Sequence, residues 1–169
     1  KFRIIKEDGG IVEYPTPDVE GRLAYGGSMM MKGYYREPEL TAETIKDGYV
    51  VTNDLSYFDK DGFVYLLGRI DDVINCAGTK IAPTEIEEVA IKCPGLADVA
   101  AIGVPDPVSG EVVKLFVVME QGAQFDPVAI NKFLLERLEA YKTPKIITEL
   151  ESIPKTYNGK ILRRELKKM

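Results

Sequence analysis

The stretch GRIDDVINCAGTKIAPTEIE, residues 68–87, separates two kinds of sequence. Within it, Val73 to Asn75 and Thr79 to Ala82 are short extended runs on either side of Ala77-Gly78, the pattern of a tight hairpin. Pro83 then opens a helix, because proline suits a first turn. Ile86, Val89, Ala90 and Cys93 follow at i, i+3, i+4 and i+7, one face for burial. Pro94-Gly95 ends that helix. The change of pattern places a boundary at Arg69 to Asp72.

Towards the C-terminus the pattern is a compact α/β mixture. Val99 to Val104 and Val112 to Met119 are apolar runs of strand length. The second is nearly continuous, which predicts burial on both faces. Asp126-Pro127 is an N-cap followed by a first-turn proline, and the helix after it is expected to bury Ile130, Phe133, Leu134 and Leu138. Lys145 to Leu150 reads as a further extended segment, Asn158-Gly159 as a turn, and a final helix follows.

Towards the N-terminus, residues 1–70 read as β-rich. Phe2 to Ile5, Ile11 to Tyr14, Gly48 to Val51 and Phe63 to Leu67 alternate with turn signals at Asp8-Gly9-Gly10, Gly26-Gly27, Asp47-Gly48 and Asp61-Gly62. One short helix is expected in PELTAETI, with Pro38 in its first turn. No closed hydrophobic core is legible here. The strands read as the end of something larger, and the start at Lys1 rather than Met is a further hint of a fragment.

Composition removes several classes of chemistry. Apolar residues make up 45% of the 169, enough for a packed core. The net charge of −5 gives no support for nucleic-acid binding, although local anion sites remain open. There is no histidine, which excludes a Ser-His-Asp triad, a Cys-His pair and every His-containing zinc site within this chain. Cys76 and Cys93 alone cannot build a structural zinc site. A reduced, cytoplasmic setting is the simpler reading of the pair. No apolar stretch reaches membrane-spanning length, and KFRIIKEDGG lacks a signal-peptide core.

The final segment, GKILRRELKKM, leaves three readings open. On a helix, Lys160, Arg163, Arg164, Lys167 and Lys168 fall at i, i+3, i+4, i+7 and i+8, opposite Ile161, Leu162, Leu166 and Met169. That is a solvated basic face, or a membrane-surface helix of barely three turns. The third reading concerns Lys160 alone. It follows Asn158-Gly159, a pair tolerant of positive φ, and so can be presented at the end of a mobile loop as a point charge for anionic oxygens.

Four motifs in order resemble the superfamily of acyl-CoA synthetases, adenylation domains and luciferases. PKTYNGKILRREL (Pro154 to Leu166) resembles its terminal signature, and Gly68 to Glu87 its domain junction. VTNDLSYFDKDGFVYLLGR (Val51 to Arg69) resembles its nucleotide-binding segment, and GRLAYGGSMMMKGYYREPELT (Gly21 to Thr41) the block before it. The resemblance implies an α+β chain. Residues 1–70 would be the last, β-barrel-like part of a large N-terminal domain that binds ATP and an acid. Residues 71–169 would be a complete small C-terminal α/β domain with a short sheet flanked by helices.

The resemblance also implies site residues. Lys160 would be catalytic, bridging the substrate carboxylate and the α-phosphate. Asp54 would accept hydrogen bonds from both ribose hydroxyls, Arg69 would contact the ribose and phosphates, and Lys80 would reach the ATP phosphates. Asp71 would be the hinge, and Gly78 would lie close to the CoA thiol. Asn53 departs from the family, which usually has glycine there, but asparagine tolerates the same turn. ATP, Mg²⁺ and CoA are implied as cosubstrates and cofactor, with no metal ligand set assignable in this chain. The phosphate loop, the adenine-stacking aromatic and the acyl pocket lie upstream in relatives, so the fragment alone is expected to be inactive. The implied activity is acid–CoA ligation of the fatty-acyl or aryl type. The alternatives are loading of a carrier protein, luciferase-like oxidation, or a docking module without catalysis.

Overall fold

A computed structural model describes residues 1–13, 16 and 19–169. The chain forms two compact units, Lys1–Asp71 and Asp72–Met169.

The first unit is built on one antiparallel sheet. Its strands are β1 (Phe2–Ile5), β2 (Ile11–Val12), β3 (Gly21–Tyr25), β4 (Ile45–Lys46), β5 (Tyr49–Phe58) and β6 (Val64–Arg69). Their order is β2-β1-β3-β5-β4, with β6 also on β5. Among the described residues the sheet is open and no barrel closes. Closure needs an edge-to-edge pairing, and these strands do not make one. Tyr14, the last residue of the expected second strand, lies outside the described residues. The short helix α1 (Pro38–Thr44) forms where Pro38 predicts it and buries none of its residues. The core is a small cluster of Ile4, Leu23 and Phe58, with Val12 and Val64 packed against it. Large apolar side chains stay exposed instead, among them Phe2, Met29, Tyr35, Phe63 and Leu66.

The second unit has a mixed sheet of β7 (Ile74–Cys76), β8 (Thr79–Ile81), β9 (Leu96–Asp106), β10 (Gly110–Met119) and β11 (Ile146–Glu149). Strand β10 is its centre. It pairs antiparallel with β9 along its whole length and parallel with β11, and Gly110 meets Cys76 of β7. Alternate β10 residues therefore point into two separate cores. Val113, Leu115 and Val117 pack with Ile86 and Ala90 of α2 (Pro83–Ala90) and with Ile130 and Leu134 of α3 (Pro127–Leu135). Phe116 points the other way, to Ala100, Ile102, Ile153 and Leu166. The nearly continuous apolar run of β10 is the sequence's record of these two faces. Cys76 and Cys93 are both buried and free.

Local chemistry sets the ends of these elements. Asp126 caps α3, its carboxylate accepting from the Val128 and Ala129 N–H groups at 2.9 and 3.1 Å. Ala77 and Gly78, with φ of 50° and 85°, form the β7–β8 turn, whose two left-handed residues match the twist of the strands. The last helix differs from expectation. Helix α4 covers only Arg163–Leu166, and Lys160 lies before it. A bridge between Lys155 and Ile161 folds the chain back on itself, so the helical spacing of Lys160 and Arg163 never forms one face. No helix of the described residues is long and apolar enough to cross a membrane.

Candidate active site

In the first unit the structure brings Asp54, Arg69 and Asp71 to one end of the β5–β6 hairpin. Asp54 stands opposite Arg69 in register. Strand β5 is irregular on both sides here. Its pairing with β3 shifts between Arg22 and Ala24, and its pairing with β6 shifts between Leu55 and Ser56. Such bulges re-aim side chains and leave backbone groups without ladder partners. Thr52 answers that need: its hydroxyl accepts from the Asp54 N–H at 3.1 Å and donates to the Leu23 carbonyl at 3.0 Å. The half-buried Asp54 is thus held by its neighbour two residues back.

Asn53, where the family's glycine was expected, has a defined partner. Its amide donates to the Asp71 carboxylate at 2.7 Å. Asp71 sits in the single 3₁₀ turn Ile70–Asp72 that follows β6. The bond ties the middle of β5 to the last residue of this unit.

In the second unit the candidates occupy two separate features. Gly78 and Lys80 share the β7–β8 hairpin, both exposed. Nothing lies within 4 Å of where a Gly78 side chain would start, so the glycine is required by its φ and not by crowding within the chain.

Lys160 closes a tight turn. The Thr156 N–H donates to the Lys160 carbonyl at 2.8 Å, and the Lys160 N–H donates to the Thr156 hydroxyl at 3.1 Å. The Gly159 N–H donates to the Thr156 carbonyl at 2.9 Å, with Gly159 at φ 82°. Thr156 also bonds the Asn158 side chain. The backbone of Lys160 is therefore held by bonds within the turn itself. Its side chain is exposed, and its ammonium makes no ion pair or hydrogen bond among the described residues.

Two ion pairs flank this turn. Before it, the Lys155 ammonium meets the Asp98 carboxylate of β9 at 2.6 Å. After it, the Arg163 guanidinium donates to both carboxylate oxygens of Glu87 on α2, at 2.6 and 2.7 Å. Glu87 also accepts from the Ala101 N–H of β9 at 2.8 Å. The Arg163 and Glu87 side chains are only 12% and 13% exposed, so Arg163 is not part of a solvated basic face. Burial pushes the Glu87 carboxyl above its ordinary range, against the Ala101 and Arg163 bonds that pull it down. The periodicity of GKILRREL conceals this pair because its acidic partner lies 76 residues earlier. Thr52 and Thr156 were also missed, although a threonine two residues before Asp54 and four before Lys160 is a local signal for such side-chain-to-backbone bonds.

The sequence model for the AMP-binding enzyme C-terminal domain matches residues 85–160. A long-chain-fatty-acid–CoA ligase of Bacillus subtilis (strain 168) is 39% identical over 163 residues, covering 96% of this chain and 29% of that ligase. The sulfoacetate–CoA ligase of Cupriavidus necator is 38% identical over 168 residues, covering 98% of this chain and 32% of the ligase. Among solved structures, o-succinylbenzoate CoA synthetase from Bacillus subtilis, in complex with its acyl-adenylate intermediate, superposes with a TM-score of 0.86 at 30% identity. That match covers 98% of this chain and 33% of the synthetase. The chain belongs to the adenylate-forming enzymes. It corresponds to their C-terminal portion and spans about 30% of the length of the curated relatives it matches. ATP-bound MatB from Rhodopseudomonas palustris also matches, with a TM-score of 0.85 at 30% identity, over 99% of this chain and 33% of its own. Among the described residues no three Asp, Glu, Cys or His side chains are grouped to hold a metal ion.

Proposed function

We propose that this chain is the C-terminal part of an ATP-dependent acid–CoA ligase. Residues 1–71 would be the end of its large domain and residues 72–169 its small domain, which turns about Asp71 between two half-reactions. In the first, a carboxylate oxygen attacks the α-phosphorus of ATP, the bond to pyrophosphate breaks, and an acyl-adenylate forms. In the second, the CoA sulfur attacks the acyl carbon and AMP leaves.

The observation that carries the reading is the exposed Lys160 ammonium on a turn whose backbone is fixed. Charge in adenylation builds where the carboxylate meets the α-phosphate, and a preorganised cation there stabilises the transition state more than the ground state. Asp54 has two acceptor oxygens for the two ribose hydroxyls, and Arg69 stands opposite it to meet the ribose and phosphates. Lys80 adds a second cation for the phosphates. Asn53 restrains the hinge residue Asp71. Gly78 leaves its turn bare for approach of the pantetheine arm. The exposed apolar residues of the first unit fit a sheet that packs against further protein. Two buried free thiols fit a reducing cytoplasm.

The test uses the full-length protein. Pyrophosphate release from ATP is followed over a panel of carboxylic acids, with CoA, a carrier protein and simple amines compared as acceptors. Acid-dependent release followed by CoA thioester supports the reading. Release that no acid stimulates, from folded protein, refutes it.

A further inference from the structure

Lysine has a flexible four-carbon stem, so any precision in the place of its charge must come from the backbone that carries it. Catalysis by a positioned charge is sensitive to shifts of about 1 Å, worth about a hundredfold in rate. The turn that carries Lys160 is held on both sides by charge. Lys155 precedes it and is paired to Asp98 at 2.6 Å. Arg163 follows it and is paired to Glu87 through both carboxylate oxygens. Both anchors lead to the same strand. Asp98 belongs to β9, and Glu87 is fixed to β9 through the Ala101 N–H. Between the anchors, the Lys155–Ile161 bridge and the Thr156–Lys160 bonds leave the turn little freedom.

We infer that the Glu87–Arg163 and Asp98–Lys155 pairs form a two-point clamp that registers the Lys160 turn on β9, making Glu87 and Arg163 positioning residues for adenylation. The inference rests on the role proposed above for Lys160. Arg163 acts through Lys160 and touches no substrate. One guanidinium nitrogen, Nη2, reaches both Glu87 oxygens, and both side chains are nearly buried, so the pair is little screened by solvent. Asp98–Lys155, about one-third exposed on each side, is the weaker anchor.

The experiment compares Lys160→Ala, Arg163→Gln and the double variant in the full-length protein, with Lys155→Gln as a milder loosening of the same turn. Pyrophosphate release and thioester formation from pre-made acyl-adenylate are measured separately. Arg163→Gln is expected to lower kcat for pyrophosphate release about tenfold or more, with KM for ATP and the thioester step each within about twofold. In the Lys160→Ala background the same change should cost less than about twofold, because the residue it serves is gone. Lys155→Gln should show the same selective pattern at smaller size. Equal loss in both half-reactions, or a full loss that persists without Lys160, would overturn the clamp and make the pair merely structural. Unchanged pyrophosphate release in Lys160→Ala alone would instead overturn the role of Lys160, and the clamp with it.

Discussion

Leu166 is the apolar anchor of the segment that carries Lys160, and its truncation should release that segment without unfolding the unit. Its side chain is 1% exposed and packs among Ala100, Ile102, Phe116 and Ile153. Leucine-to-alanine changes at such sites cost about 2–5 kcal/mol, least where the surroundings can close over the gap. Helix α4 is a single turn, so the local structure can relax, and about 2–3 kcal/mol is the reasoned loss for Leu166→Ala. The loss falls on residues 154–169, because β9 and β10 keep their own ladder and the separate core against α2 and α3. At about 1.4 kcal/mol per tenfold, amide exchange in this segment should quicken roughly 30- to 140-fold. The reporting amides are Leu162, bonded to the Pro154 carbonyl, Thr156, bonded to the Lys160 carbonyl, and Lys167, bonded to the Arg163 carbonyl. Amides of Leu115 and Val117 in β10 should change less than about threefold. Hydrogen exchange followed by mass spectrometry or NMR resolves the two sets. An equal rise in both would mean that Leu166 supports the whole unit, and no rise in either would mean that α4 holds nothing.

Two further outcomes follow from the same geometry. Burial raises the Glu87 carboxyl, so the folded protein holds that proton more tightly than the unfolded chain, and its contribution to stability is greatest at low pH and falls as pH rises through the window above the ordinary carboxylate value. The stability difference between wild type and Glu87→Gln, from urea unfolding, should therefore shrink from about pH 4 to about pH 7, and a widening gap would contradict the burial argument. Gly78→Ala meets no atom within 4 Å and pays only for its φ of 85°, about 1 kcal/mol. It should leave pyrophosphate release intact and slow thioester formation by more than about tenfold, whereas equal slowing of both steps would remove Gly78 from the second half-reaction.

Features whose chemistry sits within a few consecutive residues were legible in the sequence. The Asp126-Pro127 start of α3, the Ala77-Gly78 turn and the buried face of α2 each depend on neighbours. The two-sided burial of β10 was legible because a strand between two cores leaves no polar alternation. Features that depend on distant partners were not. The helical period of Lys160, Arg163 and Lys167 reads as a basic stripe, but the Lys155–Ile161 bridge breaks the period and Glu87 draws Arg163 inward. Strand β5 runs on through the polar Thr52-Asn53-Asp54 because it pairs with β3 on either side of them, at Val50 and Val51 and again at Leu55 and Ser56, so its apolar stretch understated its length. Whether the first sheet closes is likewise a matter of long-range pairing, and the alternating pattern gave no sign that it stays open. The candidate site residues were legible through motif resemblance, whereas the hydrogen bonds of Thr52, Thr156 and Glu87 around them emerge only in the fold.

The central claim is that Lys160 serves adenylation alone. The direct measurement is the pair of half-reaction rates in full-length Lys160→Ala beside wild type, with acid-dependent pyrophosphate release in one assay and thioester formation from pre-made acyl-adenylate and CoA in the other. The account predicts a loss of well over tenfold in the first, more than about 1.4 kcal/mol of barrier, with the second within about twofold. An equal loss in both, or no loss in the first, would contradict it.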